Sequence, residues 1–383
     1  MNNQENSIIN NNNQENKVLI INSNEISKTE SNKSTLKNKR IEYFDWLRIL
    51  CSFSVVILHI SAQNWYSSPI QSHEWRIFNF YDSLVRFGVP IFFMISGTIF
   101  LEKNISFSVM LKKYIKNILI NLIFWSFFYS LREKKIQKYN FKSTFLKFLD
   151  SHYHLWYLFR ISGLYLITPI LKEIIKNEKI FQIYLVLNFI FSFFIPNLLP
   201  ILFYYSNDYY NAFTNIINKF GINGFLNHIQ FYYMFGFYLN KKNTKPLLRI
   251  IIYILGICGI IFTFKMTYYI SLKKNKKITF YSESYINVFF TSIGIFIFFK
   301  YNFNDLKYSK RIKEFIQKIG LLTFGIYIIH PFVIDELKIR INLHTLSFEP
   351  LYSVPINSLI TFLISLIIVY LIKLIPFINK YIL

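Results

Sequence analysis

Apolar residues in this chain gather in long, nearly unbroken runs of Phe, Ile, Leu and Tyr, not in the short alternations of a strand. Many of the runs approach the roughly 20 residues that a helix needs to cross a bilayer. They are centred on about 44–64, 85–101, 114–131, 152–171, 180–200, 225–240, 247–265, 284–300, 319–335 and 355–378. The pattern predicts an all-α fold, a polytopic transmembrane helical bundle of about ten spans. Residues 1–40 stand apart: polar, of low complexity, with Asn10–Asn13 a short homopolymer. They are expected to form a disordered cytoplasmic tail ahead of one transmembrane domain, residues 41–383. The tail lacks the pattern of a secretory signal, so the first apolar helix is expected to act as an uncleaved anchor.

The first run, Tyr43 to Ala62, carries Asp45, Arg48 and His59 within apolar surroundings. Eleven helical residues from Arg48 to His59 make three turns plus roughly 20°, so the two share a face about 16 Å apart along the axis. Asp45 lies within roughly 40° of the same line, and Ser52 is near it. Ionisable groups in a membrane helix are costly and face a protein interior or a wet cavity. The pattern therefore suggests a general base at His59, with Arg48 binding an anion or orienting a neighbour. Asp45, three residues before Arg48, can hold the guanidinium. A plain helix-end ion pair with an interfacial histidine is the blander alternative.

Composition supports the membrane reading: 53% of residues are hydrophobic and 16% charged. The formal charge of +23 resides in short connections between apolar runs and in the tail, so it argues for membrane topology and against nucleic acid. An even number of spans puts both termini on one side. Basic residues around 37–40, 103–116, 172–179, 241–249 and 307–318 then make that side cytoplasmic, at the plasma membrane. The basic stretches Lys134–Lys147 and Lys273–Lys277 oppose this assignment. Cys51 and Cys258 both fall in apolar runs, which argues against a disulfide framework, and neither has metal-ligand spacing.

Four further stretches carry possible chemistry. In Arg86–Leu101, Ser96-Gly97 forms a small-residue notch, either for close helix packing or as a thin wall beside a ligand. Lys112, Lys113 and Lys116 cluster at the mouth of the third span, with Lys112 and Lys116 four apart on one face. They suit the phosphates of coenzyme A or ordinary inside-positive charge. Trp156 and Arg160 fall in the fourth span, where a buried Arg would need an anion or water. His152 and His154 sit at its edge, without acids nearby, and are read as interfacial rather than as metal ligands. His330-Pro331 lies late in a helix that proline would kink. The loops Gln63–Ser83, Asn197–Asn227 and Glu336–Ser353 are expected to shape the acceptor side, with Tyr204, Tyr205, Tyr209 and Tyr210 able to stack on sugar rings. No phosphate-binding loop, dinucleotide fingerprint, HExxH or GxSxG is present.

These residues resemble a known family. FDWLRILCSFSVVILH has the Arg-(ten residues)-His spacing of the first helix of acyltransferase-3 integral membrane proteins. GVPIFFMISG, HLWYLFRISGLYLITPIL and FGIYIIHP match further pieces in the same order, across about residues 41–378. The resemblance implies a ten-helix enzyme that moves an acyl group, acetyl in the first instance, from acyl-CoA to a sugar hydroxyl. Acceptors would be cell-envelope or exopolysaccharide glycans, lipid-linked sugars or, in some members, small molecules. It implies His59 as the catalytic residue with Arg48 its essential partner, and Asp45 in support. The coenzyme A side would comprise Lys112, Lys113, Lys116, Arg160, Ser96 and Gly97. His330 and Trp156 are expected on the substrate side. Where the family commonly has arginines, this chain has lysines, which grip phosphate without bidentate geometry. No metal and no permanently bound cofactor is expected, and His59 can serve as base or as transient acyl carrier. A transporter or flippase of sugar or lipid-linked sugar is the alternative that a polar stripe in a helical bundle also suits.

Overall fold

The computed structural model describes residues 40–375 except 204, 205, 223, 224 and 305. The expected tail and the expected Tyr204 and Tyr205 contacts therefore lie outside the described residues. Among the described residues every regular element is a helix. In chain order these are α1 (Glu42–Ala62), α2 (His73–Val85) and α3 (Gly88–Glu102), then a helical turn and a π-helical stretch, Met110–Ile115, leading into α4 (Lys116–Gln137). They continue with α5 (Phe141–Asp150) and α6 (Trp156–Lys176), then α7 (Glu178–Phe189), which passes through a second π-helical stretch into α8 (Ile195–Leu202). The chain then forms α9 (Asn207–Lys219), α10 (His228–Lys241), α11 (Pro246–Lys274), α12 (Ile286–Asn302), α13 (Lys310–Ile341) and α14 (Pro350–Lys373).

Each of the ten expected spans falls on helix, but seven helical segments among the described residues are long and apolar enough to cross a membrane. The three others fall short for identifiable reasons. The helix α6 carries Arg160, Lys172, Glu173 and Lys176. At 14 residues, α10 is about 21 Å long, less than a hydrocarbon core of roughly 30 Å. The apolar α12 has 17 residues. Outward-facing Ile250, Ile254, Ile257 and Ile261 on α11 are exposed, as a helix flanked by lipid requires. The chain is a multi-pass membrane protein.

Two expected loops are partly helical. Residues 73–83 belong to α2, whose first turn is capped by Ser72 Oγ accepting from the Trp75 N–H at 3.1 Å. It joins α3 through a tight turn at Arg86-Phe87. The 310–341 helix runs on through Pro331 and past Glu336. The polar residues in both segments broke the apolar runs without breaking the helices.

The bundle is built around α1, which touches α2, α3, α12, α13 and α14. Acidic Glu42 and Asp45 lie in its first turn and His59 in its last, a charge order that suits the helix dipole. Two close approaches fix its neighbours. A Cβ at Gly97 of α3 would lie 1.7 Å from the Tyr233 carbonyl oxygen of α10, and one at Gly236 would lie 2.4 Å from the Met94 carbonyl oxygen. The two backbones therefore meet only because both positions are glycine. Gly320 of α13 plays the same part for α1, since a Cβ there would come within 2.9 Å of Asp45 Oδ1.

Candidate active site

At the end of α1 where it begins, Arg48 Nη1 donates to Asp45 Oδ1 at 2.9 Å. Asp45 is fully buried against Gly320, whereas a quarter of the Arg48 side chain stays exposed. The acid thus anchors the guanidinium from behind, as a charge-assisted pair does best. The exposed part of Arg48 lines a cavity of about 200 Å³ with Val55, Phe92, Ser96, Tyr157, Phe324 and Tyr327 among its walls. A second cavity, of about 270 Å³, shares Ser96, Tyr157, Tyr165 and Phe324 and extends to Tyr114 and Asn117. Ser96 faces the hydroxyls of Tyr157 and Tyr165. These are mostly apolar walls with a few polar groups, the usual make-up of a small-molecule site.

The structure separates the two residues of the expected notch. Ser96 lines both cavities, while Gly97 turns away to pack on α10. Lys112, Lys113 and Lys116 are exposed, and Tyr114 and Asn117 between them line the second cavity. Lys113 Nζ lies 5.6 Å from the Tyr114 ring centre. The stretch is π-helical through Met110–Ile115, so the α-helical spacing assumed for Lys112 and Lys116 does not hold there. Arg160 is exposed, not buried, and does not line either cavity; Trp156 is exposed as well. The cavity stripe of α6 is Tyr157, Ile161 and Tyr165, and Arg160 lies about 100° around the helix from its centre.

The other end of α1 meets a cluster of rings. The His59 imidazole stacks on that of His330, with centres 5.1 Å apart, and meets the Tyr153 ring edge-on at 5.2 Å. His154 packs edge-on against His330 at 5.6 Å, and the Nδ1 atoms of His152 and His154 are 2.6 Å apart. Tyr129 of α4 stacks on His152 at 4.2 Å. His152 and His154 are thus part of the His59 neighbourhood and not simply interfacial.

Hydrogen bonds fix which ring nitrogen carries hydrogen in the neutral forms. His330 Nδ1 lies 3.1 Å from the Ile326 carbonyl and also faces that of Tyr327, so it is the donor. Pro331 has no N–H to offer the Tyr327 carbonyl, and the imidazole stands in for it. His330 Nε2 is then a lone pair, fully buried and without a hydrogen-bond partner. His154 Nε2 faces the Ile328 carbonyl at 3.2 Å, which makes its Nδ1 the acceptor and His152 Nδ1 the donor. The same Ile328 carbonyl accepts from the Tyr129 hydroxyl at 2.7 Å.

Tyr327 connects the two ends. It lines the first cavity, its hydroxyl donates to the His154 carbonyl, and its ring lies 6.3 Å from that of His330. The cavity beginning at Arg48 therefore stops one side chain short of the histidines. His59 does not line it. Arg86, held by Asp82 and lying 4.0 Å over the Tyr281 ring, is within electrostatic reach of His59. Among the described residues no group of three His, Cys, Asp or Glu is arranged to hold a metal ion.

The sequence pattern did not single out Tyr129, Tyr153, Tyr157, Tyr327 or Arg86 as site residues. Their only sequence signal was aromatic or charged identity at a span edge, which many residues here share. No curated protein and no solved structure matches the chain. A family model described as an acyltransferase domain, that of the acyltransferase-3 family, matches residues 41–374. That match decides between catalysis and transport: the chain belongs to the acyltransferase-3 family of membrane-embedded enzymes and is an acyl-CoA-dependent O-acyltransferase acting on a membrane-associated glycan.

Proposed function

We propose that the enzyme moves an acetyl group from acetyl-CoA to a sugar hydroxyl of an envelope glycan, with donor and acceptor reaching His59 from opposite ends of α1. The observation that carries this reading is the pair of adjoining cavities, which lead from Tyr114 and Arg48 to Tyr327 at the edge of the histidine cluster. The phosphates of coenzyme A bind at Lys112, Lys113 and Lys116, as point charges to anions. The pantetheine arm threads past Arg48 and Ser96, which replaces hydration lost along the arm. Asp45 keeps Arg48 aimed into the cavity.

His59 acts as general base. It takes the proton of the acceptor hydroxyl as the oxygen attacks the thioester carbonyl. The carbon–sulfur bond then breaks, and the imidazolium returns the proton to the departing thiolate. The products are the sugar ester and free coenzyme A, and atoms and charge balance. His330, with its bare Nε2 beside His59, takes the second hydrogen bond of the incoming substrate. Trp156 and Arg160 play no direct part in this scheme, since both face outward.

The scheme places the Arg48 end, both termini and the three lysines on the cytoplasmic side, in a ten-span plasma-membrane bundle. Alternate-side labelling of single cysteines in the connections tests this placement. For the chemistry, membranes containing the protein are given labelled acetyl-CoA, and label is counted in the glycan fraction. Transfer is expected for the intact protein and lost in His59→Ala and Arg48→Ala; full transfer by either variant would overturn the assignment. Incubation without acceptor is expected to leave no label on the protein, and a labelled histidine would make His59 an acyl carrier instead.

A further inference from the structure

We infer that the face around Tyr153 is the acceptor subsite, and that it takes an uncharged sugar ring presenting adjacent hydroxyls. The inference rests on the acyltransferase reading and deepens it. Tyr153 is 59% exposed, yet one edge of its ring touches His59. It is an exposed aromatic surface that meets the base directly, and an exposed tyrosine offers an apolar face to sugar C–H groups.

Carboxylates stand beside it. Asp335 of α13 acts electrostatically on Tyr153, and nearly half of its side chain is exposed. It is braced by Arg132 of α4 at 3.3 Å, which also binds Glu336 at 2.9 Å and lies 4.6 Å over the Phe332 ring. Arg132 itself is almost covered, so the bracing cation is hidden and the acceptor oxygens of Asp335 are the part that solvent meets. Glu133 lies 3.9 Å from Nε2 of His152, whose ring centre is 4.4 Å from that of Tyr153. A carboxylate held still by a buried guanidinium is suited to accept two hydrogen bonds from neighbouring hydroxyls.

The charge pattern selects among sugars. Of the cations acting on His152 and His59, Arg132 is already paired with two acids, Arg86 is paired with Asp82, and Lys147 is exposed on α5, where solvent screens it. A uronate or sialate carboxylate laid on Tyr153 would meet Asp335 and Glu133 with like charge, whereas a neutral ring meets only acceptors for its hydroxyls. The buried, unpartnered Nε2 of His330 adds a further acceptor behind the same site. Tyr153 thus has the base His59 at its ring edge, His330 behind that base, and Asp335 and Glu133 as the acids of its surroundings.

The test uses the full chain in lipid nanodiscs with labelled acetyl-CoA and two matched panels, glucose oligomers and glucuronic acid oligomers. Label is expected on the neutral panel in preference to the acidic one. Asp335→Asn and Tyr153→Ala should each raise acceptor KM about tenfold, the effect of one lost charge-assisted bond or one lost stacking face. Donor KM should not move in either variant. Equilibrium binding of acetyl-CoA is followed in parallel as the check on folding. Equal or greater labelling of the acidic panel, unchanged acceptor KM in both variants, or acetyl-CoA binding with no label on either panel overturns the subsite. If wild-type protein binds no acetyl-CoA, the acyltransferase reading fails instead.

Discussion

The two ends of α1 solve opposite problems. The Arg48 end is hollow: one ion pair, apolar and tyrosine walls, and space for a long flexible group. The His59 end is filled: four imidazoles and two tyrosines pack within ring contact, with the hydrogens of His330 and His154 assigned by backbone carbonyls. A hollow positions a substrate by shape and lets it slide, while a packed cluster positions a proton acceptor and keeps it from moving. Binding and chemistry are thus separable along a single helix, about 16 Å apart.

That separation can be broken at either end. The largest effect is expected for His59→Ala, which removes the base: label transfer should fall by about 10²–10⁴-fold while acetyl-CoA still binds. Arg48→Lys should also cost transfer heavily, since an ammonium cannot keep the fork geometry that Asp45 holds, but the loss should appear in donor KM. His330→Phe keeps a ring against His59 and deletes the bare Nε2. It should lower kcat by roughly tenfold with donor KM unchanged, as expected for one lost hydrogen bond from a second acceptor hydroxyl. Gly97→Ala drives a methyl into the Tyr233 carbonyl and should lower thermal stability by about 1–3 kcal/mol, read as the unfolding midpoint in detergent. The smallest effect is expected from any one of Lys112→Ala, Lys113→Ala or Lys116→Ala. Each should raise donor KM a few-fold, and less so at high salt, because all three ammonium groups are exposed.

The hollow end was the more legible in sequence. Arg48, Asp45 and His59 lie on one helix, where a periodicity of 3.6 converts spacing into geometry, and the Asp45–Arg48 pair follows from a separation of three. Ser96 followed from its place in a small-residue notch, but spacing could not say that its neighbour Gly97 would face α10 instead of the cavity. Of the filled end, only His59 followed from that spacing. His330 comes from α13, His152 and His154 from the 151–155 connection, and Tyr129 from α4, and only folding brings them to His59. Arg160 misled for the same reason, since an arginine in an apolar run looks buried until the orientation of its helix is known. Span boundaries failed where polar residues entered a helix, as in α2 and α13.

One measurement tests the division of labour most directly: equilibrium binding of labelled acetyl-CoA to His59→Ala and Arg48→Ala protein in nanodiscs, each paired with its transfer rate. His59→Ala is expected to bind the donor as wild type does while transfer falls by about 10²–10⁴-fold, whereas Arg48→Ala binds it weakly. Loss of donor binding in His59→Ala together with wild-type binding in Arg48→Ala would contradict it.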